Sequence, residues 1–263
     1  MLQVNGITKT FFPGTVNERV ALNDLSLQLD EGDFVTVIGS NGAGKSTLLN
    51  AVAGRLFVDS GDVIIDGKRV NKLPEYKRAR YVGRVFQDPL AGTAPNLTIE
   101  ENLSLAWLRG KSRGLGLSLT AKRRAEFIDH LASLELGLED RLSAKVGLLS
   151  GGQRQALSLL MAGFTNPRIM LLDEHTAALD PQRADLVTAL TERIVAEGNL
   201  TTLMVTHNME QALRLGNRLI MMHEGQIVYE ASAEHKAKLT VRDLLQEFAN
   251  IKGATLSDKA FLG

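Results

Sequence analysis

Residues 34–54 read "FVTVIGSNGAGKSTLLNAVAG". The first six form a short continuous apolar run rich in β-branched residues, the pattern of a strand buried on both faces and hence of a parallel sheet covered by helices. The last seven keep helical apolar spacing and stop at Gly54, a residue suited to the position just past a helix. Between them, Gly39 to Thr47 satisfies G-x-x-x-x-G-K-[S/T]. The glycines Gly39, Gly42 and Gly44 let the backbone curl, so that successive N–H groups from Ser40, Asn41 and Ala43 onward face phosphates. Lys45 then reaches the β and γ oxygens, the Ser46 hydroxyl ligates magnesium and Thr47 faces the α-phosphate. An ordinary glycine turn before a helix would not require the buried strand, the lysine and the helix together.

The flanking sequence is consistent with this centre. Upstream, "LQVNGITKTF" and "ALNDLSLQL" read as strands and "EGD" as a turn. Downstream, "SGDVIIDG" closes on Asp-Gly as a hairpin does. From about 98 to 164 the texture turns helical: Thr98 and Glu101 make a capping box, and Phe127, Ile128, Leu131 and Leu134 form an apolar stripe ending near Gly137. Strands resume with "RIMLLDE" (168–174) and "TTLMVTH" (201–207). The helix between them has Asp180 as N-cap, Pro181 at its first position, an apolar line through Val187, Leu190 and Ile194, and Gly198 as terminator. "RLIMMHEGQIVYE" reads as a hairpin turning at Glu224 and Gly225, and "LTVRDLLQEFANIKG" as an amphipathic helix capped by Thr240. These elements describe an α/β nucleotide-type core interrupted by a helical subdomain.

Composition excludes several classes. The 263 residues balance 30 Lys+Arg against 30 Asp+Glu, so no global field draws the chain to nucleic acid, and no nucleic-acid partner is expected. The absence of cysteine removes disulfides, thiolate zinc sites and cysteine nucleophiles together. "MLQVNGITKT" shows no secretory pattern, and the longest apolar runs fall far below a membrane span. A soluble, unexported chain is expected.

A phosphate site needs a way to hold Mg²⁺ and to orient water, and acids at the end of an adjacent apolar strand can do both. Asp173 is read as the magnesium residue, acting through water, and Glu174 as the general base. Alone, an apolar run ending in Asp-Glu is a common strand end; beside the first loop it carries chemistry.

A second glycine-rich helix start follows in "LLSGGQRQ", residues 148–155. Ser150 and Gln153 make an S-x-x-Q capping box, which explains the serine and the glutamine. It does not explain Gly151 and Gly152, each of which costs helix stability and is justified by close backbone approach to something. A phosphate suits, and the first loop already surrounds its own. The consistent reading is that this start caps the terminal phosphate bound by a second copy, two copies sandwiching two nucleotides.

"GSNGAGKST", "VFQDP", "LSGGQRQ", "LLDEHTAALD" and "MVTHN", in this order, resemble the nucleotide-binding subunits of ABC transporters over roughly residues 1–235. The resemblance implies a P-loop NTPase ABC cassette: a RecA-like α/β core (1–88 and 165–235) with an antiparallel β subdomain and an inserted α-helical subdomain (89–164), followed by a short helical extension (236–263). It implies an ATPase using ATP and Mg²⁺ in a head-to-tail homodimer at the cytoplasmic face of the membrane, with permease subunits as partners and an extracytoplasmic solute-binding protein reached through them. Gln87 is similar to the Q-loop glutamine that touches Mg²⁺ and water, Asp180 to the D-loop aspartate at the dimer seam, and His207 to the switch histidine holding the γ-phosphate and Glu174 in register. Taken alone, Gln87 is a loop glutamine, Asp180 a helix N-cap and His207 a polar strand end. An aromatic near the start stacks on adenine in such cassettes; Phe11 matches the usual spacing better than Phe12, and the alternative for either is a strand aromatic in the core.

The sequence departs from the family at His175, where proline is most common. It reads as a tolerated turn residue; the alternative is a histidine titrating beside the base. The basic stretch "LRGKSRGLGLSLTAKRR" reads as a solvated loop and helix face, with contact to lipid headgroups as the alternative. "TKTFFPGTVNE" and "VFQDPLAGTAPNLTIEENL" resemble ATPases of bacterial small-solute importers, some proposed to carry aromatic amino acids. An exporter ATPase shares every motif, and a non-transport ABC ATPase would need a long coiled coil, a zinc hook or two cassettes.

Overall fold

The computed structural model describes residues 1–111 and 118–252. The middle of the basic stretch and the last residues of the expected extension, 253–263, lie outside the described residues.

Along the chain run β1 (Leu2–Phe11), β2 (Arg19–Leu29), β3 (Phe34–Gly39), α1 (Lys45–Ala53), β4 (Ser60–Ile65) and β5 (Lys68–Arg69). Next come α2 (Glu75–Arg78), β6 (Val82–Val85), α3 (Ile99–Trp107), α4 (Ala121–Ala132), α5 (Gly151–Gly163), β7 (Ile169–Asp173) and α6 (Pro181–Gly198). The chain continues through β8 (Thr201–Val205), α7 (Met209–Arg214), β9 (Arg218–His223), β10 (Gln226–Ala231), α8 (Ala233–Lys236) and α9 (Val241–Lys252). These elements form two compact units, Met1–Lys72 with the segment from Thr201 onward, and Leu73–Leu200.

The first unit contains an antiparallel sheet in the order β2-β1-β4-β5. Its last hairpin turns through Asp66 and Gly67, both at positive φ (53° and 72°), the tight turn that an Asp-Gly pair favours. A second set of strands runs β10-β9-β3-β8, with β3 parallel to both of its neighbours. All six residues of β3 are buried, as a continuous apolar run requires. Glu224 and Gly225 turn the β9–β10 hairpin, again both at positive φ. Leu244 and Phe248 bury one stripe of α9 against Ile38, Ala212, Leu219 and Met221, while Thr240 and Asp243 cap its start reciprocally.

Lys236 is the unusual member of this core. Its ammonium is buried and donates to the carbonyls of Leu215, Gly216 (3.2 Å) and Arg218 (3.3 Å) and to the Thr36 hydroxyl (3.2 Å). A buried cation needs oxygen partners, and these come from the end of α7, the start of β9 and the middle of β3. Burial pulls its pKa down to about 8.

The second unit pairs β6 and β7 in parallel, Val85 opposite Leu172. Helices α3, α4 and α5 lie between these strands in sequence, and α5 is buried along most of its length. The Thr98–Glu101 capping box at the start of α3 forms as expected. Phe127, Leu131 and Leu134 are buried, but Ile128 is exposed: the stripe is narrower than the sequence spacing suggests, and Ile128 falls beside it. Helix α6 begins at Asp180 and Pro181 as expected, yet Gly198 is its last helical residue rather than its terminator. Asn199 takes the left-handed conformation at φ 44°, its N–H bonding the carbonyls of Val195 and Ala196. Gly198 has a different use, since a Cβ there would lie 2.9 Å from the Leu200 side chain. Among the described residues no helix is long and apolar enough to cross a membrane.

Candidate functional site

In the first unit the strand-loop-helix around residue 40 is built by close approach. A Cβ on Gly39 would collide with the Met222 carbonyl, and one on Gly44 with that of Ala21. Gly44 takes the N-cap position of α1 in a left-handed conformation, φ 99°, where a side chain would also be strained. No side chain caps this helix and its first turn holds no acid, so its N-terminal amides and its dipole are left for an anion. Lys45 is buried and folds across the loop, its Nζ 2.7 Å from the Gly39 carbonyl and 3.1 Å from that of Ser40. Asn41, Gly42 and Ser46 are exposed, Ser40 and Thr47 partly so, and Ala43 is buried.

Two further residues of this unit flank the loop. Val205 of β8 pairs with Val37 of β3, so His207 and Gly39, each two residues further on, leave their parallel strands at the same level. His207 is exposed and directly precedes α7, whose N-cap Asn208 accepts from Gln211 N–H at 2.9 Å. Phe11 ends β1 opposite Arg19, and Arg19 donates to the Gly42 carbonyl at 2.7 Å. Directly opposed residues share a sheet face, so Phe11 lies on the face that turns toward the loop. Phe12 is instead two-thirds exposed, at φ 52°. Arg19 is a loop contact the sequence reading missed; nothing in "NERVAL" signals it.

The second unit gathers Gln87, Ser150–Gln153, Asp173, Glu174 and Asp180. Asp173 ends β7, and its Oδ2 accepts from Arg84 Nη2 at 2.9 Å, both side chains being largely buried. Arg84, one strand over and stacked 4.6 Å from the Phe86 ring centre, orients the carboxylate and was not foreseen. Glu174 follows in a left-handed conformation, φ 46°, which costs a non-glycine residue roughly 1–2 kcal/mol and is found where surrounding structure imposes it.

His175 lies in the turn after Glu174, as expected, but that turn is buried. It is 2 % exposed, and its Nε2 lies 2.9 Å from the Thr191 hydroxyl. That hydroxyl already donates its proton to the Val187 carbonyl at 2.7 Å, so it accepts from His175 and the neutral ring carries its hydrogen on Nε2. Burial pushes the His175 pKa down to about 4. The ring is therefore neutral at physiological pH and does not titrate there.

Helix α5 starts with the full reciprocal cap: Gln153 N–H donates to Ser150 Oγ at 3.3 Å, and Ser150 N–H to Gln153 Oε1 at 3.2 Å. The amides of Gly151 and Gly152 have no hydrogen-bond partner among the described residues. Part of the demand for glycine arises within the chain, because a Cβ on Gly152 would press to 3.2 Å of the Arg183 side chain. Arg183 is paired in turn with Asp180, whose carboxylate caps α6. Gln87 is exposed just beyond β6. Its neighbour Phe86 accepts through its carbonyl from Gln155 of α5 at 3.1 Å, so α5 holds the base of the loop that carries Gln87. Gln155 is fully buried and was also missed; as the second glutamine of "GGQRQ" it gave no signal of its own.

These residues fit a nucleotide with its magnesium. The uncapped α1 start and the folded lysine suit a polyphosphate. Among the described residues no group of three acids or histidines could hold a metal unaided. The Ser46 hydroxyl in the first turn of α1 is a hard oxygen ligand beside the place where the phosphates would lie, of the kind Mg²⁺ favours.

The comparisons with known proteins agree with this chemistry. Residues 22–177 match the family described as ABC transporter. The chain is 46 % identical over 250 residues, 94 % of itself and 98 % of the relative, to a tyrosine transport ATP-binding protein of Clostridioides difficile (strain R20291). It is similar in structure to a dimeric post-hydrolysis state of the ATP-binding cassette MJ0796 bound to ADP and Pi, with TM-score 0.76, 31 % identity and coverage of 89 % of this chain and 99 % of that one. It is also similar to the ADP conformation of MJ1267, an ATP-binding cassette of an ABC transporter, with TM-score 0.76, 28 % identity and coverage of 94 % and 98 %. The chain belongs to the ABC transporter family, as one of its nucleotide-binding, ATP-hydrolysing cassettes.

Proposed function

We propose that two copies associate head to tail and hydrolyse ATP at two shared sites, driving uptake of a small solute, an aromatic amino acid, through permease subunits. The observation that carries the shared site is the pair of unpartnered amides at Gly151 and Gly152, on a helix that already completes its own cap. Packing against Arg183 accounts in part for Gly152, but a helix needing only stability would not also keep Gly151. The solute reading is supported by the 46 % identical relative, a tyrosine transport ATP-binding protein.

In this reading Phe11 stacks on adenine, and the loop from Gly39 to Thr47 holds the phosphates with Lys45. Ser150, Gly151, Gly152 and Gln153 of the partner copy close over the terminal phosphate. Ser46, Gln87 and, through water, Asp173 hold Mg²⁺, which supplies charge neutralisation at the phosphates when bound. Glu174 takes the proton of the water that attacks the γ-phosphorus as the bond to ADP breaks, His207 steadies that carboxylate and phosphate, and Asp180 lies at the seam. The ATP-binding domain spans 1–235, with core 1–88 and 165–235, helical part 89–164 and extension 236–263. The cassette sits at the cytoplasmic face of the membrane, and a solute-binding protein engages it through the permease.

Glu174→Gln is expected to lower hydrolysis by about 10²- to 10⁴-fold and to accumulate as a dimer with ATP and Mg²⁺ on gel filtration. A monomer alone under those conditions would overturn the shared site. In the complex reconstituted with its permease and binding protein, tyrosine is expected to accelerate ATP hydrolysis. Acceleration by a drug or lipid alone would make the chain an exporter ATPase instead.

A further inference from the structure

The chain from Asp173 to Asp180 leads from the end of β7 to the start of α6 and carries Glu174, read as the general base. Two turn bonds run within it, from Ala177 N–H to the Glu174 carbonyl at 3.0 Å and from Leu179 N–H to that of Thr176 at 3.2 Å. Glu174 is in the left-handed region, φ 46°, which a non-glycine residue keeps only where its surroundings impose it. Among the described residues from 174 to 180 only His175 is buried, which makes it the segment's tie to the interior.

That tie is directional. The His175 ring donates from Nε2 to the Thr191 hydroxyl at 2.9 Å, 16 residues further along, and Thr191 donates in turn to the Val187 carbonyl at 2.7 Å, one turn earlier on α6. A hydroxyl that accepts on one side and donates on the other has both directions fixed, and a β-branched side chain has little rotamer freedom in a helix. Thr191 is itself wholly buried. Helix α6 is close-packed nearby, since a Cβ on Gly163 of α5 would lie 3.4 Å from the Ile194 side chain. Burying an imidazole and a hydroxyl is costly, and a leucine with a valine would fill similar space at less cost. What the polar pair adds is direction. Consecutive Cα atoms are only about 3.8 Å apart, so a ring held in one direction also holds the backbone from which the Glu174 side chain springs.

We propose that His175 is a positioning residue for hydrolysis: tied to Thr191, it holds the backbone of Glu174 in its left-handed conformation and so fixes the direction in which that carboxylate leaves the turn. The ring donates from Nε2 throughout and moves no proton. The proposal rests on the reading of Glu174 as the general base.

The test separates catalysis from binding and from stability. Thr191→Val, which keeps the branched shape and removes the acceptor, is expected to lower kcat about tenfold, the scale of a small misplacement at a reacting group, with the affinity for N-methylanthraniloyl-ATP, read by its fluorescence, unchanged. Thr191→Ser keeps the hydroxyl and is expected to restore the rate. From the other side, His175→Gln carries an amide N–H near the place of Nε2 and should stay close to the unaltered rate, whereas His175→Leu should fall with Thr191→Val. This pair decides the matter if Thr191→Val does not fold. The double variant His175→Leu/Thr191→Val should be no slower than either single one, because both remove the same bond. Thr98→Ala, which weakens the same unit at the cap of α3, should keep full kcat, so that lost stability is told apart from misplacement. An unchanged kcat in Thr191→Val and His175→Leu overturns the proposal. So does a loss of nucleotide affinity in step with kcat, or equal rates in His175→Gln and His175→Leu. Full-rate hydrolysis by Glu174→Gln would instead overturn the reading of the base; a rate lost in Glu174→Gln and kept in Thr191→Val overturns the positioning alone.

Discussion

Two glycine-rich helix starts differ in how they are completed. At α5 a serine and a glutamine satisfy each other, so that the helix is stable by itself and leaves only the amides of its two glycines. At α1 a left-handed glycine stands where a capping side chain would be, no acid offsets the dipole, and the first helical residue is the cation Lys45. The first loop is therefore the one whose folding and binding are most tightly linked, while the second is preformed and offers a ready surface. Folding economy alone would not produce this asymmetry; a division of labour between holding a ligand and closing over it would.

That contrast can be broken in three ways. The largest effect is expected from Lys45→Ala, which should lower hydrolysis by about 10²- to 10³-fold and abolish the rise in melting temperature that ATP confers. A variant still protected by ATP would show that the loop does not depend on its lysine.

Next in size is a response to acid confined to the second unit. The His175 pKa is about 4 in the folded chain against the ordinary histidine value of 6.5, so between these limits the unfolded chain binds more protons. Stability is then full above about pH 6.5 and is lost as pH falls toward 4, by at most roughly 3 kcal/mol. Urea midpoints at pH 7 and pH 4.5 measure it, and His175→Gln should flatten the difference. An unchanged slope would mean that His175 is not the group responsible.

The smallest effect is the most discriminating. Ser150→Ala and Thr98→Ala each remove one half of a capping box and should each cost about 1 kcal/mol of stability. Only Ser150→Ala should also lower hydrolysis, by about tenfold, because only its hydroxyl is read as facing a phosphate. Equal rates in the two variants would reduce the second helix start to a cap and nothing more.

How much of this was legible in the residues follows from range. The loop, both capping boxes, the Asp66-Gly67 turn and the strand end at Asp173 are local patterns, and each appears where the spacing places it, whereas the strand expected to run to His207 stops at Val205. What escaped is defined by partners far along the chain. Arg84 has meaning only once β6 lies beside β7, Arg19 only once β2 passes under the loop, and Gln155 only once α5 meets the residue before Gln87. His175 sits in a turn as its position suggests, but its burial shows only once α6 and its Thr191 cover it. Gly198 and Asn199 exchanged roles because Leu200, invisible to a capping rule, occupies the space behind the glycine.

The ammonium of Lys236 joins three stretches that are far apart in sequence: the strand leading to Gly39, the end of the helix that begins beside His207, and the strand that follows. A chain ending before this residue would lose α9 as well and leave three carbonyls without the ammonium that they share. What looks like a tail thus begins with a keystone, and a shortened or grafted ATP-binding domain must carry residue 236 of the extension with it.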